Sequence, residues 1–158
     1  MTEKNKGWSE INSLMLSKVL MYALFAMLVA ALVLIPFISR WYGEISEGHG
    51  IIGGDTFIPV CIMLYICDVF GLAAANGVRV LLGNIGKEKV FVEENTKCLR
   101  LISWCCIFVG ITFLFFGLWR FVFGFAAFFA FFMGFIMRVL KNVFEKAVEI
   151  KSENDFTI

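Results

Sequence analysis

Residues 101–137 read LISWCCIFVGITFLFFGLWRFVFGFAAFFAFFMGFIM, with Arg120 the single charged side chain among them. A run of about 18 or more apolar residues is a membrane-span candidate, because ~20 residues at ~1.5 Å rise match a hydrocarbon layer of ~30 Å. One helix over the whole stretch would be ~55 Å long, so the chain must turn back inside it. The turn falls around Leu118 to Gly124, with Trp119 and Arg120 at the interface. A hairpin of two spans follows, at about 99–119 and 121–137.

Working outward, the rest of the chain has the same character. Of 158 residues, 60% are hydrophobic and 17% charged, where soluble domains hold about 45–50% apolar residues. Mean hydropathy is +0.85. A first span is read at about 19–38, with Lys18 before it and Arg40, Trp41 and Tyr42 after it as interfacial anchors. It exceeds the ~7–15 residues of a signal-peptide core and ends in Pro36 and Arg40 rather than a small-x-small cleavage site, so it reads as a retained span. A polar loop with Glu44, Glu47, His49, Gly53 and Gly54 leads to a second span at about 57–82, where Pro59 suits a first helical turn. Of the four, this span is the least hydrophobic. It holds Asp68, Asn76 and Arg79.

The basic residues set the expected orientation. Twelve of the 14 fall in the N-terminal arm, the middle loop region with its flanks from Arg79 to Arg100, and the C-terminal segment, against Arg40 and Arg120 on the other side. The positive-inside rule then places both termini in the cytoplasm. The expected fold class is all-α: a polytopic membrane protein whose four transmembrane helices form a single bundle, N-in and C-in. Past Met137, Leu140, Val143, Phe144, Ala147 and Val148 continue an apolar stripe beside Lys141, Glu145, Lys146 and Glu149, which predicts a cytoplasmic amphipathic extension over 138–151. A tail, 152–158, follows.

Few residues offer chemistry. The five cysteines avoid the outer loops and match no zinc spacing, so they read as packing residues. No nucleophile with a nearby base, metal-ligand set or phosphate loop is found, which disfavours an enzyme and leaves no metal or cofactor to assign. Small residues Gly71, Ala74 and Ala75, and Ala126, Ala130 and Gly134, mark close helix contacts. Phe121, Phe125, Phe128, Phe132 and Phe135 form a stripe read as lipid-facing or core filling.

Asp68 resists a packing explanation. A carboxylate in mid-span costs at least ~2.5–3.5 kcal/mol on insertion scales, so it should face the bundle, be protonated or have a partner. Arg79 lies ~16 Å away along the axis. Ser103, Thr112, Tyr22 and Tyr65 are the candidate partners. A structural hydrogen bond and a proton, ion or ligand role both remain open readings. On the cytoplasmic side, Glu93 and Glu94 fall in the first turn of a helix running into span three, and Phe91 sits where the chain turns back.

The stretch Arg79-Val-Leu-Leu-Gly-Asn-Ile-Gly-Lys-Glu-Lys-Val-Phe-Val-Glu-Glu-Asn95, then Leu99-Arg100, and the ending Asn154-Asp155-Phe156-Thr157-Ile158 resemble the bacterial membrane-protein family catalogued as domain of unknown function 2975. The Gly86-to-Phe91 spacing is longer than the family's, and Phe156 stands where a Leu is usual. The resemblance implies four spans in a bacterial cytoplasmic membrane and no established activity. Genes of such families often adjoin small helix-turn-helix regulators, which implies a regulatory scaffold holding such a cytoplasmic transcriptional regulator. Candidate contacts are Phe91, Glu94, Asn95, Arg100, Asp155, Phe156 and Ile158. The alternative is a small transport, sensing or immunity protein using Asp68. The expected partners are thus the bilayer and a small soluble protein, with the small-residue seams suiting a compact monomer or a homodimer. Direct nucleic-acid binding is disfavoured because the basic residues are spaced rather than clustered.

Overall fold

The computed structural model describes residues 3–45 and 55–155, with side chains from Asn12 to Asn154. The loop around His49 and the terminal Phe156 and Ile158 lie outside the described residues, and at Asp155, Lys4 and Lys6 only the backbone is described. Four helices follow in order: α1 (Glu3–Ile45), α2 (Phe57–Ile85), α3 (Glu93–Phe116) and α4 (Val122–Asp155). Each contains a segment long and apolar enough to cross a membrane. This is an all-α, multi-pass membrane protein.

The helices run antiparallel and pack in chain order, α1 on α2, α2 on α3, α3 on α4. The ends of the bundle differ. At the end holding the α3–α4 turn, Val60, Met63 and Phe116 form a buried cluster with Tyr42, Phe113, Trp119 and Phe123 around it. Here the Tyr42 ring of α1 meets Phe123 of α4 at 5.9 Å. At the end holding the α2–α3 turn and the termini, α1 meets the C-cap of α2. A Cβ on Gly86 would lie 2.9 Å from the Lys18 Nζ, so this ammonium sits by the partial negative charge of the α2 C-terminus.

The hairpin expected within 101–137 turns at 117–121. Gly117 donates its N–H to the Phe113 carbonyl at 2.9 Å. A Cβ at Gly117 would meet the Leu114 carbonyl oxygen at 3.0 Å and the Gly124 nitrogen at 3.4 Å, both backbone atoms that cannot swing away. A side chain at 117 would have to shift this backbone by a few tenths of an ångström. Arg120 in the turn donates to the Thr56 hydroxyl at 3.0 Å, tying this hairpin to the start of α2.

Two helices, α1 and α3, extend past the spans read from the sequence. α1 continues through Pro36 to Ile45 instead of stopping near Ile38. Proline lacks the N–H that would bond the carbonyl four residues back, here that of Leu32. The Tyr65 hydroxyl of α2 donates to that same Leu32 oxygen at 3.3 Å, so a neighbouring helix replaces the missing bond. α3 begins at Glu93 and runs into span three, with Glu93 and Glu94 in its first turn as expected.

Between α3 and α4 the small residues act as expected at Gly134 and one position along at the alanine. Ala127, not Ala126, is the buried alanine, and Gly134 is buried with it. Ser103 donates to the Gly134 carbonyl at 2.9 Å across this seam. The Phe121, Phe125, Phe128, Phe132 and Phe135 rings are all exposed on the other face, as a lipid-facing stripe requires.

Candidate functional site

The α2–α3 turn is built around two asparagines. Asn84 closes the last turn of α2, and its carbonyl accepts the N–H groups of Lys87 and Lys89 at 3.0 and 2.9 Å. Asn95, in the first turn of α3, is 0% exposed. Its Nδ2 donates to the carbonyls of Lys89 at 2.9 Å and Val90 at 2.7 Å. Its Oδ1 accepts from Asn84 Nδ2 at 2.8 Å, which also donates to the Glu94 carboxylate at 2.8 Å. Glu88 at the tip adopts φ 61°, the left-handed region that side chains other than glycine and asparagine seldom occupy. One amide thus organises the whole turn.

This turn is fastened to the end of α4. The Phe91 ring lies 5.8 Å from that of Phe144, which partly covers the apolar stripe of the amphipathic extension. Arg100 of α3 meets Glu145 of α4 at 3.4 Å. Lys141 pairs with the same carboxylate at 2.5 Å. The hydrogen bond from Lys141, followed by the charges of Lys141, Arg100 and Lys146, holds the Glu145 carboxyl below the usual range. Glu149, hydrogen-bonded to Lys146, holds that ammonium above its ordinary value.

Between the start of α3 and the last turns of α4 lies a cleft of about 400 Å³, lined by Glu93, Thr96, Lys97, Arg100, Glu145, Val148, Glu149 and Ser152. Its α3 wall carries Glu93, Lys97 and Arg100, and its α4 wall Glu145 and Glu149. Thr96 is only 6% exposed and its hydroxyl has no hydrogen-bond partner.

The sequence-expected contact residues separate accordingly. Phe91, Glu94 and Arg100 are exposed at this end of the molecule. Asn95 is enclosed within the turn, so its side chain shapes the surface without being part of it. Asn84 and Thr96 were missed. An asparagine closing a helix just before a Gly-Lys turn is a signal for Asn84, since such side chains bond nearby backbone; nothing local marks Thr96.

Within the spans, Asp68 is 5% exposed and its Oδ2 has no partner. None of the four expected partners bonds it: Ser103 serves Gly134, Thr112 its own helix at Phe108, and Tyr65 the Leu32 carbonyl, while Tyr22 is exposed. Asp68 instead lines a cavity of about 230 Å³ between α1 and α2, with Leu28, Ala31, Ile35, Ile38, Leu64 and Cys67. Asn76 and Arg79 are exposed on α2. Ser39 of α1, one turn beyond Ile35, is fully buried with an unpartnered hydroxyl, a second polar group that sequence reasoning overlooked.

No curated protein and no solved structure matches this chain. The sequence model of one family, described as protein of unknown function (DUF2975), matches residues 52–158, from just before α2 through α4 and including both the asparagine-built turn and the charged cleft. The match leaves out α1. The chain belongs to the DUF2975 family.

Proposed function

We propose that this protein is a regulatory scaffold of the bacterial cytoplasmic membrane, with both termini inside, whose α2–α3 turn and α4 extension hold a small soluble protein such as a helix-turn-helix regulator. It has no catalytic role of its own in this reading. The observation that carries the proposal is the cleft between α3 and α4. At 34 residues, α4 is ~50 Å long and outruns the hydrocarbon layer by several turns, and that surplus forms one wall of the cleft. Beside it, the asparagine network fixes the turn. A rigid platform with paired charges suits specific protein recognition more than small-molecule chemistry, because charge placement sets partner choice and register.

The test places a photo-crosslinking amino acid at Lys97 or Glu149 in the full chain in cells, and identifies the captured protein by mass spectrometry. Capture of a helix-turn-helix regulator that Arg100→Glu abolishes is the expected result. Capture from neither position, with the chain inserted and folded, would refute the scaffold.

A further inference from the structure

We propose that the cavity between α1 and α2 is a binding site for a small apolar amine, whose ammonium group meets the Asp68 carboxylate within the membrane. The inference stands apart from the scaffold reading, since it concerns the opposite side of α2 and other residues. Three observations carry it. The cavity, of about 230 Å³, is lined by Leu28, Ala31, Ile35, Ile38, Leu64, Cys67 and the single carboxylate of Asp68. The Oδ2 of Asp68 is buried without a partner. And no hydroxyl satisfies it: Tyr65 bonds the Leu32 carbonyl released by Pro36, Ser103 bonds Gly134, and Ser39, one turn beyond Ile35, is itself buried without a partner.

A buried carboxyl without a partner must either hold a proton or keep an uncompensated charge, and both are costly in a membrane. A ligand that brings its own cation removes that cost, and one with an apolar body also fills the space. Size narrows the class further. A cavity of about 150 Å³ lined by aliphatic and aromatic side chains holds benzene, so this one fits a ring or short chain bearing one aminomethyl group. Depth separates a free amine from a lipid headgroup amine. Asp68 is ~16 Å along α2 from its first residue, inside the hydrocarbon layer and out of reach of headgroups held at the interface.

Two helices supply the site, and α1 rests chiefly on α2. An occupant therefore ties α1 to the rest of the molecule. Residues 52–158 of the family match contain Asp68, whereas Leu28, Ala31, Ile35 and Ile38 precede it.

Benzylamine is the probe, with toluene as its uncharged counterpart, added to the full chain in detergent micelles while the thermal unfolding midpoint is followed at pH 7. We expect benzylamine to raise the midpoint of the wild type in a saturable way. Asp68→Asn should weaken that response at least tenfold, and Ala31→Phe, which fills the cavity and leaves the carboxylate, should weaken it as much. The wild-type comparison of benzylamine with toluene stands even if a variant does not fold. An equal shift with toluene, an undiminished shift in Asp68→Asn, or a midpoint that responds to pH and not to benzylamine would each overturn the proposal, the last by making Asp68 a proton-binding acid only.

Discussion

Replacing Asn95 by alanine should loosen the α2–α3 turn far more than its place in a short polar turn would imply. The side chain is 0% exposed and makes three hydrogen bonds of 2.7–2.9 Å, two given to the Lys89 and Val90 carbonyls and one received from Asn84. Each such bond contributes a net ~1 kcal/mol, so the loss is about 3 kcal/mol. At ~1.4 kcal/mol per decade this raises the population of the opened turn about 100-fold. Lys87 and Lys89 lie in that turn, so trypsin cleavage of the chain in detergent micelles reads the opening directly. Asn95→Asp should be worse than alanine, because it keeps the shape while setting a carboxylate oxygen against two carbonyls and beside Glu94. Asn76→Ala, at an exposed site on α2, should change cleavage little. If Asn95→Ala resists trypsin as well as the wild type does, the turn is not held by this amide and the reasoning fails.

Three further outcomes follow. Tyr65→Phe should cost ~1 kcal/mol by leaving the Leu32 carbonyl unbonded, and the cost should shrink in a Pro36→Ala background where an N–H at position 36 takes over; equal costs in both backgrounds would remove the proposed link between Pro36 and Tyr65. Gly134→Leu should separate α3 from α4, since even a Cβ there meets Ile107 at 3.1 Å and the Ser103 carbonyl at 3.3 Å; the expected loss is ~1–3 kcal/mol or more, read as a lowered unfolding midpoint, whereas Gly83→Ala, with nothing within 4 Å, should leave it nearly unchanged. Glu145 has a lowered folded-state value, so its contribution is present above the ordinary 4.5 and is lost as pH falls through the lower folded value; hydrogen exchange should show the α4 extension loosening over that acid range in the wild type, and Glu145→Gln should show the looser behaviour already at neutral pH.

Much of this architecture was legible because lipid imposes a simple rule. Continuous apolar length with paired interfacial residues predicts a span, and the forced turn near Arg120 follows from a helix too long for the bilayer. The aromatic stripe on α4 was readable for the same reason, as a helical period without polar companions. Helix ends were harder. Nothing local tells that α1 survives Pro36, because the replacement hydrogen bond comes from Tyr65 on another helix, 33 residues away. On α4 the buried alanine is Ala127 rather than Ala126, since the two are equivalent by composition and only the packing of α3 chooses between them. Asp68 stood out by cost alone, but its surroundings depend on how α1 lies against α2. In the sequence Asn95 reads as a partner contact and Asn84 only as part of a motif, and their joint role appears only when the turn brings them to 2.8 Å.

The most direct test of the account is the sidedness of its turns. Single cysteines at Lys87, Leu118 and Lys151, compared with the unsubstituted chain, can be probed with a membrane-impermeant maleimide in intact cells and in inverted vesicles. Four crossings with the termini inside predict that positions 87 and 151 react together and only in inverted vesicles, while position 118 reacts in intact cells. Labelling of positions 87 and 118 from the same side would contradict it.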